Sequence, residues 1–197
     1  MQGKPDFKSG VPAATNCHML RLFTALHIPE HIGETLKRRQ TGLPGANWRP
    51  LDALHITLAF YGEADERKAD DLASELVRAE GRGPIELSLN GVGAFGDNHR
   101  SHTIWAGVSQ NEALHQLAAR CKTAGDRAGI PPERRDYRPH VTLAYLKPHV
   151  DPDRVGAWIT GHNMLQSPSI RFDSFGLYSS ELTDSGSVYT LEREYRL

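Results

Sequence analysis

His55-Ile56-Thr57-Leu58-Ala59 recurs as His140-Val141-Thr142-Leu143-Ala144, 85 residues further along the chain. Residues i and i+2 of a β-strand point to one face of a sheet, so each copy presents an imidazole and a hydroxyl side by side. Two copies facing each other supply two of each, and the site they imply is built from two halves. That set suits phosphodiester chemistry. One imidazole takes a proton from the attacking oxygen while the other gives one to the leaving oxygen, and the hydroxyls hold the phosphoryl oxygens. The scheme calls for no metal and no cofactor. A lone His-x-Thr on a strand is most simply structural. Burying an imidazole or hydroxyl without a partner, however, costs about 1 to 3 kcal/mol. Four such residues in apolar strands therefore point to function, the alternative being that all four face solvent.

Residues 1–17 lack periodicity and read as a flexible leader, with folding proper starting near His18. Met19 to Ile28 reads as the first strand, and Pro29 suits the first turn of a helix in which Ile32 and Leu36 share a face. Gly42 to Pro50 reads as a loop with Trp48 packed at its end. His55 to Tyr61 makes the second strand, which Gly62 is expected to break, and Ala64 to Arg78 has helical composition. Ile85, Leu87 and Leu89 alternate as a strand, followed by a glycine-rich turn around Gly91, Gly93 and Gly96. His102 to Ser109 is a further strand, and Asn111 caps a helix running to about Ala128. From Pro139 the first half's pattern returns as a strand through His140 to Leu146 and a helix from Asp151 to Thr160. Ile170 to Tyr178 and Val188 to Leu197 close the chain as strands. About eight strands and four helices that do not strictly alternate favour an α+β fold with antiparallel sheets.

With 197 residues the chain can bury a sizeable core. A net charge of −1 argues against a general nucleic-acid coat, which needs a surplus of Lys and Arg, while leaving recognition of one terminal nucleotide open. No apolar run approaches a membrane span, and residues 1–16 are polar where a signal peptide would carry its apolar core, so a cytoplasmic protein is expected. Cys17 and Cys121 lack metal or redox spacing and read as reduced thiols. The other histidines, His18, His27, His31, His99, His102, His115, His149 and His162, lack metal-site spacing and read as surface residues. Gly91-Val92-Gly93 lacks the third glycine of a dinucleotide fingerprint. The run Arg134-Arg135-Asp136-Tyr137-Arg138 is a candidate edge for an anion-binding cleft.

The paired His-x-Thr-Leu motifs resemble the signature of the two-histidine (2H) phosphoesterase superfamily, and more narrowly the RNA 2',3'-cyclic phosphodiesterases, also known as 2'-5' RNA ligases. Supporting matches run over roughly residues 19–197: Arg21-Leu22-Phe23 then Ala25, Pro29, Trp48, Ala59-Phe60-Tyr61-Gly62-Glu63, Ile104-Trp105 before Gly107, Pro139-His140, Leu177-Tyr178-Ser179-Ser180 and Tyr189. The resemblance implies one bilobal domain over residues 18–197. Two antiparallel sheets with pseudo-two-fold symmetry would flank a central cleft, with helices outside. It makes His55 the general acid that protonates the departing 3' oxygen and His140 the general base that activates water, whereas the bare chemistry leaves open which histidine does which. Thr57 and Thr142 would bind phosphate oxygens. Family members often carry Arg where this chain has Tyr145, so Arg21, Arg138 or Arg135 is expected to supply that charge, and Tyr145 either stacks on a base or packs between lobes.

The expected substrate is an RNA 3' end bearing a 2',3'-cyclic phosphate, opened to a 2'-phosphate by a monomeric, metal-independent enzyme. A small cyclic nucleotide or a 2'-5' linkage, including reversible 2'-5' ligation, would use the same four residues. A non-catalytic RNA-end binding module and a metal-dependent hydrolase are readings of a different class. An unperturbed imidazole near 6.5 would let one histidine be charged and its partner neutral around pH 7.

Overall fold

The computed structural model describes residues 19–97, 100–134, 136–183 and 186–197. The leader assigned to residues 1–17, together with Cys17, His18, His99 and Arg135, lies outside them. Strand β1 (Leu20–His27) leads into α1 (Glu30–Lys37), for which Pro29 is the N-cap, and Ile32 and Leu36 are buried on one helical face as their spacing implies. A short β2 (Ala46–Trp48) precedes β3 (His55–Ala64). The Asp65 carboxylate accepts from Lys68 N–H to start α2 (Glu66–Leu76). Next come β4 (Ile85–Leu87), β5 (Leu89–Asp97) and β6 (Arg100–Val108). Asn111 caps α3 (Glu112–Arg127) by accepting from Leu114 N–H. Strand β7 (His140–Leu146), α4 (Pro152–His162), β8 (Ile170–Phe172), β9 (Ser174–Thr183) and β10 (Gly186–Arg196) complete the chain.

The strands form one antiparallel sheet in the order β10-β9-β1-β3-β7-β6-β5, with β2 added on β7, and a small second sheet of β4 and β8. The series β1-α1-β3-α2-β4 repeats as β6-α3-β7-α4-β8, and β3 meets β7 just as β4 meets β8. The α+β class and the two-lobed plan are therefore as the sequence implies. The lobes are nonetheless hydrogen-bonded into a single sheet, through the lone pair Ile56 and Val141. Beyond that pair β3 and β7 splay apart, and β2 takes the freed edge of β7, with Ala46 opposite Leu146 and Trp48 opposite Ala144.

Five local expectations change. Gly62 does not end β3: its φ of +74 sits beside a bulge, and pairing runs on from Gly62 opposite Leu22 to Ala64 opposite Leu20. The expected glycine-rich turn is strand β5, because Gly93 lies flat under the Trp105 ring and leaves no room for a side chain. The run from Ile85 to Leu89 is split at Ser88 between two sheets, and the run from Ile170 to Tyr178 at Asp173. The loop assigned to Gly42 to Pro50 contains β2. Among the described residues no helix is long and apolar enough to cross a membrane. Cys121 is a buried free thiol.

Candidate active site

Ile56 and Leu58 of β3, and Val141 and Leu143 of β7, are buried in the core, so strand alternation turns His55, Thr57, His140 and Thr142 to the opposite face. All four line one cleft of about 780 Å³ at the seam between the lobes. The antiparallel register through Ile56 and Val141 sets His55 across from Thr142 and Thr57 across from His140. Each imidazole thus has one hydroxyl two residues along its own strand and one across the seam. The structure brings together the four residues picked out by the repeat.

Both motifs bulge at the same place. On β3, Thr57 and Ala59 pair with successive residues Ala25 and Thr24 of β1, leaving Leu58 without an opposite number. On β7, Thr142 and Ala144 pair with Trp105 and Ile104 of β6, leaving Leu143 likewise. A bulge re-aims the residues after it. Phe60 and Tyr145, five residues after their histidines, consequently join the cleft lining. Simple alternation would have turned Phe60 and Tyr145 to the opposite face.

The imidazoles are oriented in the same way. His55 Nδ1 lies 2.9 Å from the carbonyl oxygen of Ala53, and His140 Nδ1 lies 2.7 Å from that of Arg138. A carbonyl only accepts, so each Nδ1 carries a proton and donates it, leaving Nε2 of the neutral ring unprotonated. Phe23 packs on His55 at 5.0 Å between centroids, Tyr189 meets its edge at 5.2 Å, and Phe95 meets His140 at 4.8 Å. Burial among these rings pushes His55 down to about 4, helped by the Arg49 guanidinium and opposed by the Ala53 hydrogen bond. Burial also lowers His140, against the pull of the Arg138 carbonyl. In the free protein both imidazoles are therefore neutral at pH 7, unlike the split state that an unperturbed value near 6.5 would allow.

The other candidates sort by position. Arg21 lines the cleft, exposed, with its guanidinium 5.0 Å above the Phe60 ring. Arg138 lines it too and is exposed, as do Glu133, Asp136 and Tyr137 of the same loop. Tyr145 is in the cleft and 44 % exposed. His27, His31, His102, His115 and His149 are at the surface, whereas His162 is half-buried and stacked on Trp158 at 4.3 Å. Among the described residues no three His, Cys, Asp or Glu side chains are grouped to hold a metal.

Arg49, absent from the sequence-based candidates, is buried in the cleft wall at 6 % exposure. Its N–H continues the β2 ladder by donating to Leu143 O at 2.8 Å, and its own carbonyl accepts from Gln40 Nε2 at 3.0 Å. Phe23, Phe95 and Tyr189 were likewise not candidates, since isolated aromatics in strands read as core.

Residues 28–184 match the family model of the 2'-5' RNA ligase superfamily. The chain is 32 % identical over 193 residues to an RNA 2',3'-cyclic phosphodiesterase of Thermus thermophilus, covering 90 % of each. It is 29 % identical to one of Methanothermobacter thermautotrophicus, covering 90 % of this chain and 99 % of the other. The crystal structure of Escherichia coli LigT complexed with 3'-AMP superposes with a TM-score of 0.75 at 26 % identity, covering 91 % of this chain and 99 % of that one.

Proposed function

The chain belongs to the 2'-5' RNA ligase superfamily, and from that premise we propose that it opens a terminal 2',3'-cyclic phosphate of RNA to a 2'-phosphomonoester without a metal. It is a hydrolase of the two-histidine phosphoesterase kind. In this reading His140 Nε2 takes a proton from water as the water oxygen bonds to phosphorus. The bond from phosphorus to the 3' oxygen breaks, and that oxygen takes the proton held by His55 Nε2. Thr57 and Thr142 donate hydrogen bonds to the non-bridging oxygens as charge builds on them. His55 ends neutral and His140 protonated, and exchange with solvent resets the pair. The cyclic phosphate's negative charge lets His55, neutral in the free protein, acquire its proton on binding. The setting is a cytoplasmic monomer, with residues 18–197 as one catalytic domain and RNA 3' ends as substrate.

The observation that carries the reading is the matched pair of imidazoles, each pinned through Nδ1 to the carbonyl two residues before it, in one cleft. Such a pair supplies both proton transfers by itself. Turnover of a 2',3'-cyclic nucleotide and of a cyclic-phosphate oligomer in excess chelator tests it. Activity is expected to persist, and His55→Ala or His140→Ala to lower it by about 10² to 10⁴. Activity lost in chelator and restored by a divalent ion, or a single variant with undiminished turnover, would overturn it.

A further inference from the structure

Arg49 is the one charged side chain that is buried among the described residues. The described residues give it no carboxylate partner. Its guanidinium makes one long hydrogen bond to them, from Nη2 to the Ser187 carbonyl at 3.5 Å. Two aromatic faces flank it, Tyr145 at 5.6 Å and Tyr189 at 5.4 Å. A guanidinium has five N–H donors and cannot shed its charge, so a buried one is costly unless an anion answers it. The cleft wall is where this charge is held, close enough to His55 to oppose that ring's protonation.

Its placement is built in. Strand β2 fills the edge of β7 where β3 and β7 part, with Asn47 opposite Tyr145. Arg49 lies two residues beyond Asn47, hence on the face that Tyr145 shares. We propose that Arg49 is a phosphate-binding residue of this site, its fork of N–H groups meeting the non-bridging oxygens while the Tyr145 and Tyr189 rings hold the guanidinium plane. The inference rests on the cyclic phosphodiesterase reading. It places one strand over, on β2, a cation that β7 lacks at Tyr145. Arg21 and Arg138 are exposed, and water screens them. Arg49 is desolvated, preorganised and shaped for bidentate contact, which makes it the strongest phosphate ligand of the three.

The test compares Arg49→Met, Arg49→Lys and the double variant Arg49→Met/Tyr145→Arg on a 2',3'-cyclic nucleotide, with inorganic phosphate as a competitive inhibitor. Arg49→Met is expected to lower kcat/KM by about 10² to 10³-fold. It should also raise the phosphate inhibition constant at least about tenfold and move the acidic limb of the pH profile upward. Arg49→Lys, which keeps a charge without the fork, should fall between. It decides the matter if Arg49→Met does not fold. Adding Tyr145→Arg to Arg49→Met is expected to recover at least about tenfold of the loss. Activity within about threefold of the parent in the single variants, or a loss without weaker phosphate inhibition and without rescue, would overturn the inference. Inactive His55→Ala and His140→Ala beside an active Arg49→Met would leave the reaction standing and remove only Arg49. Undiminished turnover in both histidine variants would remove the reaction itself.

Discussion

Raising the pH from 6 to 9 should lower kcat/KM before it lowers kcat. In the proposed mechanism one proton is shared between His55 and His140, and both rings lie below their ordinary value in the free protein, His55 at about 4. At pH 7 a group at 4 is protonated in only about 10⁻³ of molecules. Above about pH 6.5 the one-proton state of the pair loses tenfold for each unit, so kcat/KM, which reports the free enzyme, should fall about 100-fold between pH 7 and 9. A bound phosphodiester changes the balance. One negative charge about 4 Å from the imidazole, at an effective dielectric constant of about 20, favours the protonated form by about 4 kcal/mol, equivalent to about 3 units. His55 is then protonated more readily in the complex than in the free protein, and kcat should hold to higher pH than kcat/KM before declining. Initial rates on a 2',3'-cyclic nucleotide, fitted separately for kcat and kcat/KM from pH 4 to 9, read both limbs. A kcat/KM that is flat from pH 7 to 9, or two profiles that coincide, would refute the reasoning.

Other outcomes follow from the same geometry. Thr57→Val and Thr142→Val should each lower kcat/KM by about 10- to 100-fold, as expected for a hydroxyl bonded to a charged group, and steady-state kinetics with a melting curve separates this from misfolding. The double variant His55→Ala/His140→Ala should lose far less than the product of the single losses, because the two rings act as a unit. Gly93→Ala should destabilise by about 1 to 3 kcal/mol, since the new methyl runs into the Trp105 ring. Calorimetry should show Tm lower by about 2 to 4 °C for each kcal/mol. His55 also bears on stability: its folded-state value lies below the unfolded one, so the unfolded chain binds more protons between about 6.5 and 4. Stability should be complete above pH 6.5 and fall as pH drops towards 4, and His55→Asn should remove that part of the fall.

The four central residues were legible because polar groups recur at strand spacing within apolar runs, and the starts of three helices because Pro29, Asn111 and Asp151 mark them. Arg49 was not, because its position depends on β2, three residues that form a strand only by pairing with β7 nearly 100 residues later. Phe60 and Tyr145 reach the cleft through bulges at Leu58 and Leu143, and a bulge is set by register with a neighbouring strand. The glycines of β5 look like a turn until Trp105 is seen lying over Gly93. The depressed imidazoles arise from Phe23, Phe95 and Tyr189 packing around them, contacts that span most of the chain.

The most direct test follows a cyclic-phosphate RNA oligomer, incubated with the protein in excess chelator, by phosphorus NMR until the cyclic signal is gone. In the proposed mechanism, where His55 protonates the 3' oxygen as it leaves, a single product carrying its phosphate on the 2' oxygen is expected. A 3'-phosphate product, or a cyclic phosphate left intact, would contradict it.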